Sequence, residues 1–236
     1  MLDADKIVQN TLELFKDEVS KIKNFVSVED YAELHSQPLT PTSIKVDVEV
    51  FLKDIERYQD YFMQWGKHHS HLPRYGLALV NLNGVLDAVN DPTNGSLYEW
   101  NSHNPNNKIL ECDCTSATEV MDMPSLKDLA VFDKHWCRSN ILKWDTGAEF
   151  VPHIDNGIPA PWLRLWGTTD AVNLDLRFYN KETKQMELVT GIEPGRIYII
   201  DTSIVHDAKG NADNIYQFFL SVLPSAVNTL KELKNK

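Results

Sequence analysis

The stretch Ser139-Asn-Ile-Leu-Lys-Trp-Asp-Thr-Gly-Ala-Glu-Phe-Val-Pro-His153-Ile-Asp155 reads as two short strands hinged on a turn. Ser139–Trp144 and Glu149–Ile154 are apolar or alternating, and Asp145-Thr-Gly147 between them is turn chemistry. The same texture continues downstream in Leu163–Gly167, Asn173–Tyr179, Gln185–Val189, Arg196–Asp201, Ser203–Ala208 and Ile215–Leu223. Asn180-Lys-Glu-Thr183 and Glu193-Pro-Gly195 punctuate these runs. Turn signals every 8–12 residues or so mark an all-β sandwich or barrel, and eight short strands fit a double-stranded β-helix, or jelly roll.

Upstream the pattern changes from period two to period 3.6. Val8, Leu12, Phe15, Val19 and Ile22 form one face of an amphipathic helix. Ser27 to Pro41 is polar and broken by Pro38 and Pro41. A second stripe, Val48, Phe51, Leu52, Ile55, Tyr58, Phe62 and Trp65, predicts a helix capped by Thr42 or Ser43 and stopped at Gly66. Both stripes are expected to pack on a sheet. Tyr75–Leu82 is a strand candidate, Asp87–Asn107 a surface loop, and Ser125–Phe132 a short helix. The expectation is a mainly β chain with α, one domain over residues 1–236. Residues 1–72 would be a helical N-terminal extension packed against the sheet and jelly-roll core of 73–236.

The chain has 236 residues and a net charge of -11, which counts against a general nucleic-acid binder. No apolar run approaches the roughly 20 residues that cross a bilayer. The first residues lack the basic start and apolar core of a signal peptide. Three cysteines do not make a disulfide scaffold, so a cytoplasmic setting is expected.

Among eight histidines, His153 has the best company. In a strand, residues two apart share a face, so His153 and Asp155 reach one ion together. His206, on a later strand, is the candidate third ligand. Two imidazoles and one carboxylate with the other positions open form the facial triad of non-haem Fe(II) oxygenases. The plainer alternative is a turn-capping Asp155 and a satisfied core His206. His68-His69-Ser-His71 reads as a polar linker and Cys112-Asp-Cys114 lacks the second pair that a zinc site needs. Cys137 reads as a small buried residue.

Asp145-Thr-Gly-Ala-Glu-Phe-Val-Pro-His153-Ile-Asp155 resembles the "Pro-Gly…Pro-His-x-Asp" segment of Fe(II)/2-oxoglutarate-dependent oxygenases. The resemblance is closest to the aspartyl/asparaginyl β-hydroxylase-like and prolyl hydroxylase groups. Leu163-Arg164-Leu165 is similar to their Arg-bearing strand. Glu193-Pro-Gly-Arg-Ile-Tyr-Ile-Ile-Asp-Thr-Ser-Ile-Val-His206 is similar to the segment that brings in the distal His. The similarity covers residues 137–223.

The resemblance implies Fe(II) on His153, Asp155 and His206, and 2-oxoglutarate as cosubstrate. The activity implied is hydroxylation of an amino-acid side chain of the Asp, Asn or Pro kind, free or in a peptide, with release of succinate and CO2. The family also places an Arg about ten residues after the distal His to grip the far carboxylate of 2-oxoglutarate. Here Asn211-Ala-Asp-Asn-Ile-Tyr-Gln217 has no cation. Arg164 is the first candidate for that role and Arg177 the second, with Tyr216 or Gln217 helping by hydrogen bonds. Arg177 has an equally good reading as a solvated residue paired with Asp175. Lys143, Arg138 and Asn140 either project into the barrel or lie exposed, and Trp162 and Trp166 either wall a pocket or fill the core. The Asp87–Asn107 loop is the candidate lid. The expected partners are a small-molecule or peptide substrate, with no nucleic acid and no membrane; oligomeric state is open. Two other readings stand beside the oxygenase. One is a cupin-like metal-containing metabolite binder or isomerase without oxygen chemistry. The other is an inert structural barrel.

Overall fold

A computed structural model of the chain describes residues 2–65, 72–86, 93 and 95–234. In chain order the elements are α1 (Ala4–Val19), α2 (Val28–Leu34), β1 (Leu39–Lys45), α3 (Val48–Ile55), β2 (Met63–Gln64), β3 (Arg74–Asn81), α4 (Leu97–His103) and β4 (Ser116–Ala117). Then follow β5 (Trp136–Trp144), β6 (Glu149–His153), β7 (Leu163–Thr168), β8 (Leu174–Asn180), β9 (Gln185–Leu188), β10 (Arg196–Ile200), β11 (His206–Gly210), β12 (Ile215–Val222) and α5 (Val227–Lys234). No helix among the described residues is long and apolar enough to cross a membrane.

Two antiparallel sheets result. The larger runs β1-β10-β7-β12-β5-β3-β2, with β4 beside β3, and the smaller runs β6-β11-β8-β9. From β5 to β8, and again from β9 to β12, successive strands alternate between the sheets, so the chain winds a double-stranded β-helix. The eight strands read from the sequence are these eight; most ends agree within one or two residues, while β5 starts three residues earlier and β11 three residues later than read.

Alternation along β12 shows why two cores form. Tyr216, Phe218, Leu220 and Val222 join the layer under the helices, where Phe51 and Ile55 of α3 pack. Ile215 and Phe219 face the other way, into the barrel with Trp144, Trp166, Leu176 and Phe178. A tight turn starts β10: Gly195 has φ +78°, and an added Cβ there would sit 2.2 Å from the Val46 carbonyl oxygen. Only glycine meets both demands.

The N-terminal third departs from expectation. Ser27–Pro41 is ordered: Ser27 caps α2 by accepting from the Asp30 N–H, and β1 pairs with β10. Pro41 did not break this segment because β1 is an edge strand, where a missing N–H costs no ladder bond. The extension is therefore not purely helical. The second helix is capped by Asp47 rather than Thr42 or Ser43 and gives way at Glu56 to a 3-10 turn. Pairing of Met63 and Gln64 with β3 then takes over, overriding the helical stripe. Its expected stop, Gly66, and the His68–His71 tract lie outside the described residues. Part of the expected Asp87–Asn107 loop also lies outside them, while its later portion forms α4, capped by Ser96. α5 closes the chain, with Val227, Leu230 and Leu233 buried.

Candidate metal centre

His153 ends β6 and His206 begins β11, and the two are directly paired across the strands. Their ring centroids lie 4.5 Å apart. Asp155 sits just beyond β6, where its backbone N–H donates to Thr202 at 3.0 Å and ties it to the connection leading into β11. One ligand atom from each of His153, Asp155 and His206 lies within 4.8 Å of the others. His153 Nε2 is 3.5 Å from Asp155 Oδ1.

Both imidazoles are held by the same device. His153 Nδ1 lies 2.7 Å from the Val151 carbonyl, and His206 Nδ1 2.9 Å from the Ile204 carbonyl. A carbonyl only accepts, so each Nδ1 carries a proton and each ring's Nε2 is left to face its other neighbours. Metal-binding histidines are oriented in this way. Burial, followed by the charge of His153, pushes the His206 pKa down to about 4 and keeps the ring neutral. Burial also opposes charge on His153, but its hydrogen bond to Asp155 prevails and raises the pKa. Burial penalises the Asp155 carboxylate too; Arg164 and the imidazoles outweigh that and hold it well below the usual range.

Arg164 is buried at the start of β7. Its Nε donates to Asp155 Oδ2 at 3.1 Å, leaving Oδ1 toward His153. Its Nη1 bonds to Ser221 Oγ and lies 3.7 Å from Glu111 Oε2, and its guanidinium lies 3.9 Å from the Phe219 ring centre. Glu111 also meets Arg138 at 3.1 Å, so Arg138, Glu111, Arg164 and Asp155 form a buried chain of alternating charge. The Arg138 side chain also donates to the Thr93 and Gly95 carbonyls, fastening that segment to the barrel end.

The other residues expected at the site are scattered by strand alternation. Arg177 points outward from β8, 46% exposed, and makes a bidentate pair with Asp207 at 2.8 and 2.7 Å, not with Asp175. Asp207 is its register partner on β11. Tyr216 faces the helical layer, where its hydroxyl accepts from Gln59 and its ring packs edge-on against Phe51. Neither reaches the triad's side of the sheet. Gln217 does face the barrel, buried, with its Oε1 unpartnered. Lys143 lies on the helical side, 3.5 Å from Gln59. Arg138 and Asn140 are fully buried rather than exposed. Trp162 and Trp166 are buried with unpartnered indole nitrogens. None of the three cysteines forms a disulfide.

Glu111 and Arg74 are the charged residues that the sequence did not flag. Glu111 lies in an irregular stretch with no pattern to single it out. Arg74 opens an otherwise apolar strand, with nothing local to show that it faces inward.

Helix α1 crosses this end of the barrel. Ala4, Ile7 and Val8 pack with Ile154 and Val205, beside Asp155 and His206. Between α1 and the Asp155 loop lies a cavity of about 330 Å³, walled by Leu12, Val19, Pro161 and Trp162, with Lys16 at its edge.

The donor set fits a divalent metal such as Fe(II): two imidazole nitrogens and a carboxylate oxygen suit a three-ligand facial site. No family model matches the sequence. No curated protein matches it either. Among solved structures, a non-haem monooxygenase, the ThoJ–Ni complex, is 12% identical at a TM-score of 0.42, covering 82% of this chain and 76% of that one. KdgF from Halomonas sp. is 13% identical at a TM-score of 0.27, covering 36% and 67%. A double-stranded β-helix protein from Klebsiella pneumoniae is 16% identical at 0.27, covering 37% and 62%. The match to an oxalate oxidase spans only 41% of that chain. Likenesses this weak assign neither family nor activity; the architecture stands on its own strand order.

Proposed function

We propose that the protein is an Fe(II)- and 2-oxoglutarate-dependent oxygenase that hydroxylates an amino-acid side chain of the Asp, Asn or Pro kind, free or in a peptide. The observation that carries this reading is the pair of facing imidazoles on β6 and β11. Both have Nδ1 tied to a backbone carbonyl and Nε2 turned toward the Asp155 carboxylate. When bound, Fe(II) and 2-oxoglutarate would let dioxygen oxidise an unactivated C–H bond, one oxygen atom going to the hydroxyl group and the other to succinate, with release of CO2.

The residues divide the work. His153, His206 and Asp155 Oδ1 would hold the metal. Arg164 fixes the carboxylate by its second oxygen and keeps it ionised. Phe178, with its ring 5.6 Å from that of His206, shields the imidazole from water. The cavity beside Asp155 gives the substrate an apolar approach under α1, with Lys16 at its edge to meet an acidic group. The test is aerobic turnover with Fe(II) and 2-oxoglutarate, followed as succinate. The native chain forms succinate only with both, and His153→Ala forms none above background; unchanged succinate from that variant would falsify the reading.

A specific observation favours a second reading. The inward position on β12 about ten residues after His206 is Gln217, and Arg164 is already engaged by Asp155 and Glu111. A cupin-like metal-dependent metabolite binder or isomerase needs no cation at that position. Stoichiometric metal with no response to 2-oxoglutarate selects it.

A further inference from the structure

Arg74 is a buried cation that, among the described residues, has only the more distant charge of Glu149 to offset it. It is 5% exposed and opens β3 opposite Trp144, whose side chain lies in the barrel core. Its Nη1 donates to the Glu149 backbone carbonyl, and its guanidinium carbon lies 3.7 Å from the Phe150 ring centre. Its Nε is buried without a partner, and among the described residues no carboxylate lies within ion-pairing distance. Burial lowers its pKa to about 10, so it stays charged at neutral pH. Desolvating a guanidinium without a counter-ion is costly, and a ligand carboxylate would offset that cost.

Neighbouring inward positions show the same lack. Asn140 is fully buried with neither amide atom bonded. Gln217 Oε1, Trp144 Nε1 and Trp166 Nε1 are also buried and unpartnered. Strand register sets Gly76 level with Leu142 and Gln217, and Ala78 level with Asn140 and Phe219. Between Arg74 and the level of Asn140, β3 therefore adds only Gly76 and Ala78 to this face, and neither can serve as a partner. Buried amides and guanidinium nitrogens seldom stay unbonded, so several on one face point to a polar ligand.

Phe150 links this face to the metal ligands: its ring centre is 5.7 Å from that of His153. A five-carbon dicarboxylic 2-oxo acid measures roughly 5 Å between its end carbons. Chelating at the triad, it reaches about one ring's width into the barrel. Given the 2-oxo acid chemistry proposed above, we infer that Arg74, from β3, grips the far carboxylate of the chelating acid. Asn140 and Gln217 complete its hydrogen bonds, in place of an arginine on β12.

The test is an anaerobic titration of the Fe(II)-loaded full chain with 2-oxoglutarate and with 2-oxopentanoate. The two share the chelating end, and only the first has a far carboxylate. The readout is the visible charge-transfer band, and the quantity is the ratio of the two affinities. The native chain prefers 2-oxoglutarate by roughly 10- to 100-fold, the range for a charge-assisted pair. Arg74→Met abolishes the preference by weakening 2-oxoglutarate alone, and Arg74→Lys restores part of it. Gln217→Glu leaves Arg74 in place and sets a second anion beside the carboxylate; it also weakens 2-oxoglutarate alone. It decides the matter if Arg74→Met fails to fold or to bind iron. A preference unchanged in Arg74→Met, or in Gln217→Glu where that variant decides, overturns the role of this face and leaves the oxygenase reading standing. Iron binding by the native chain with no band from either acid overturns both.

Discussion

At the scale of single residues, the site depends on how Arg164 is held. It is 4% exposed in its side chain and lies between Asp155 and Glu111, which are 12% and 16% exposed. Removing it leaves Asp155 without its cation and Glu111 with Arg138 alone, and breaking such a pair usually costs about 3–5 kcal/mol. Arg164→Met is therefore expected to be destabilised by about that much in urea unfolding of the metal-free protein. Glu111→Gln keeps the shape and removes one charge from between two guanidinium groups; a smaller loss of about 1–3 kcal/mol is expected. If Arg164→Met lies within about 0.5 kcal/mol of the native chain, the network does not hold the loop as described.

Among the elements, α3 shows how far a periodic stripe can be trusted. Phe51 and Leu52 both belong to the apolar stripe, yet Phe51 is fully buried and Leu52 is 40% exposed. The Phe51 ring packs edge-on against Tyr216 and Phe218 at 5.6 and 5.0 Å. Phe51→Ala is expected to cost about 3–5 kcal/mol, the usual range for emptying a core aromatic site. Leu52→Ala should fall within about 0.5 kcal/mol. Chemical denaturation of both variants checks the contrast; equal losses would mean that α3 is seated differently on the sheet. The stripe was legible because helical periodicity is local. The early end of the helix was not, because the strand that replaces it exists only through pairing with β3.

For the whole molecule, the candidate metal centre joins two neighbouring strands of the smaller sheet and the loop after β6. A metal that binds only the folded chain stabilises it by mass action, about 2.7 kcal/mol at a hundredfold excess over Kd. In a chain of this size each kcal/mol moves Tm by roughly 2–4 °C. Adding Ni(II) or Co(II) to chelator-treated protein is expected to raise Tm by roughly 5–10 °C in a thermal scan. His206→Ala should show no such rise. A native chain whose Tm ignores the metal would leave the three side chains as a neutral structural cluster.

The sequence by itself determined the winding of the barrel, because period-two alternation and turn residues are written locally in residues 137–223. It also drew attention to His153, Asp155 and His206, through a His-x-Asp at a strand end and a later strand histidine. Only the tertiary structure decided which charges face which. Arg177 finds Asp207 across β11 rather than the barrel, and Tyr216 falls on the helical side of its strand while Gln217 falls inside. Pro41 sits in an edge strand, and Arg74, which no motif marks, enters the barrel from a strand outside the eight that wind it. The reason is the same in each case. The partner lies tens of residues away, and strand register alone settles which face a side chain shares with it.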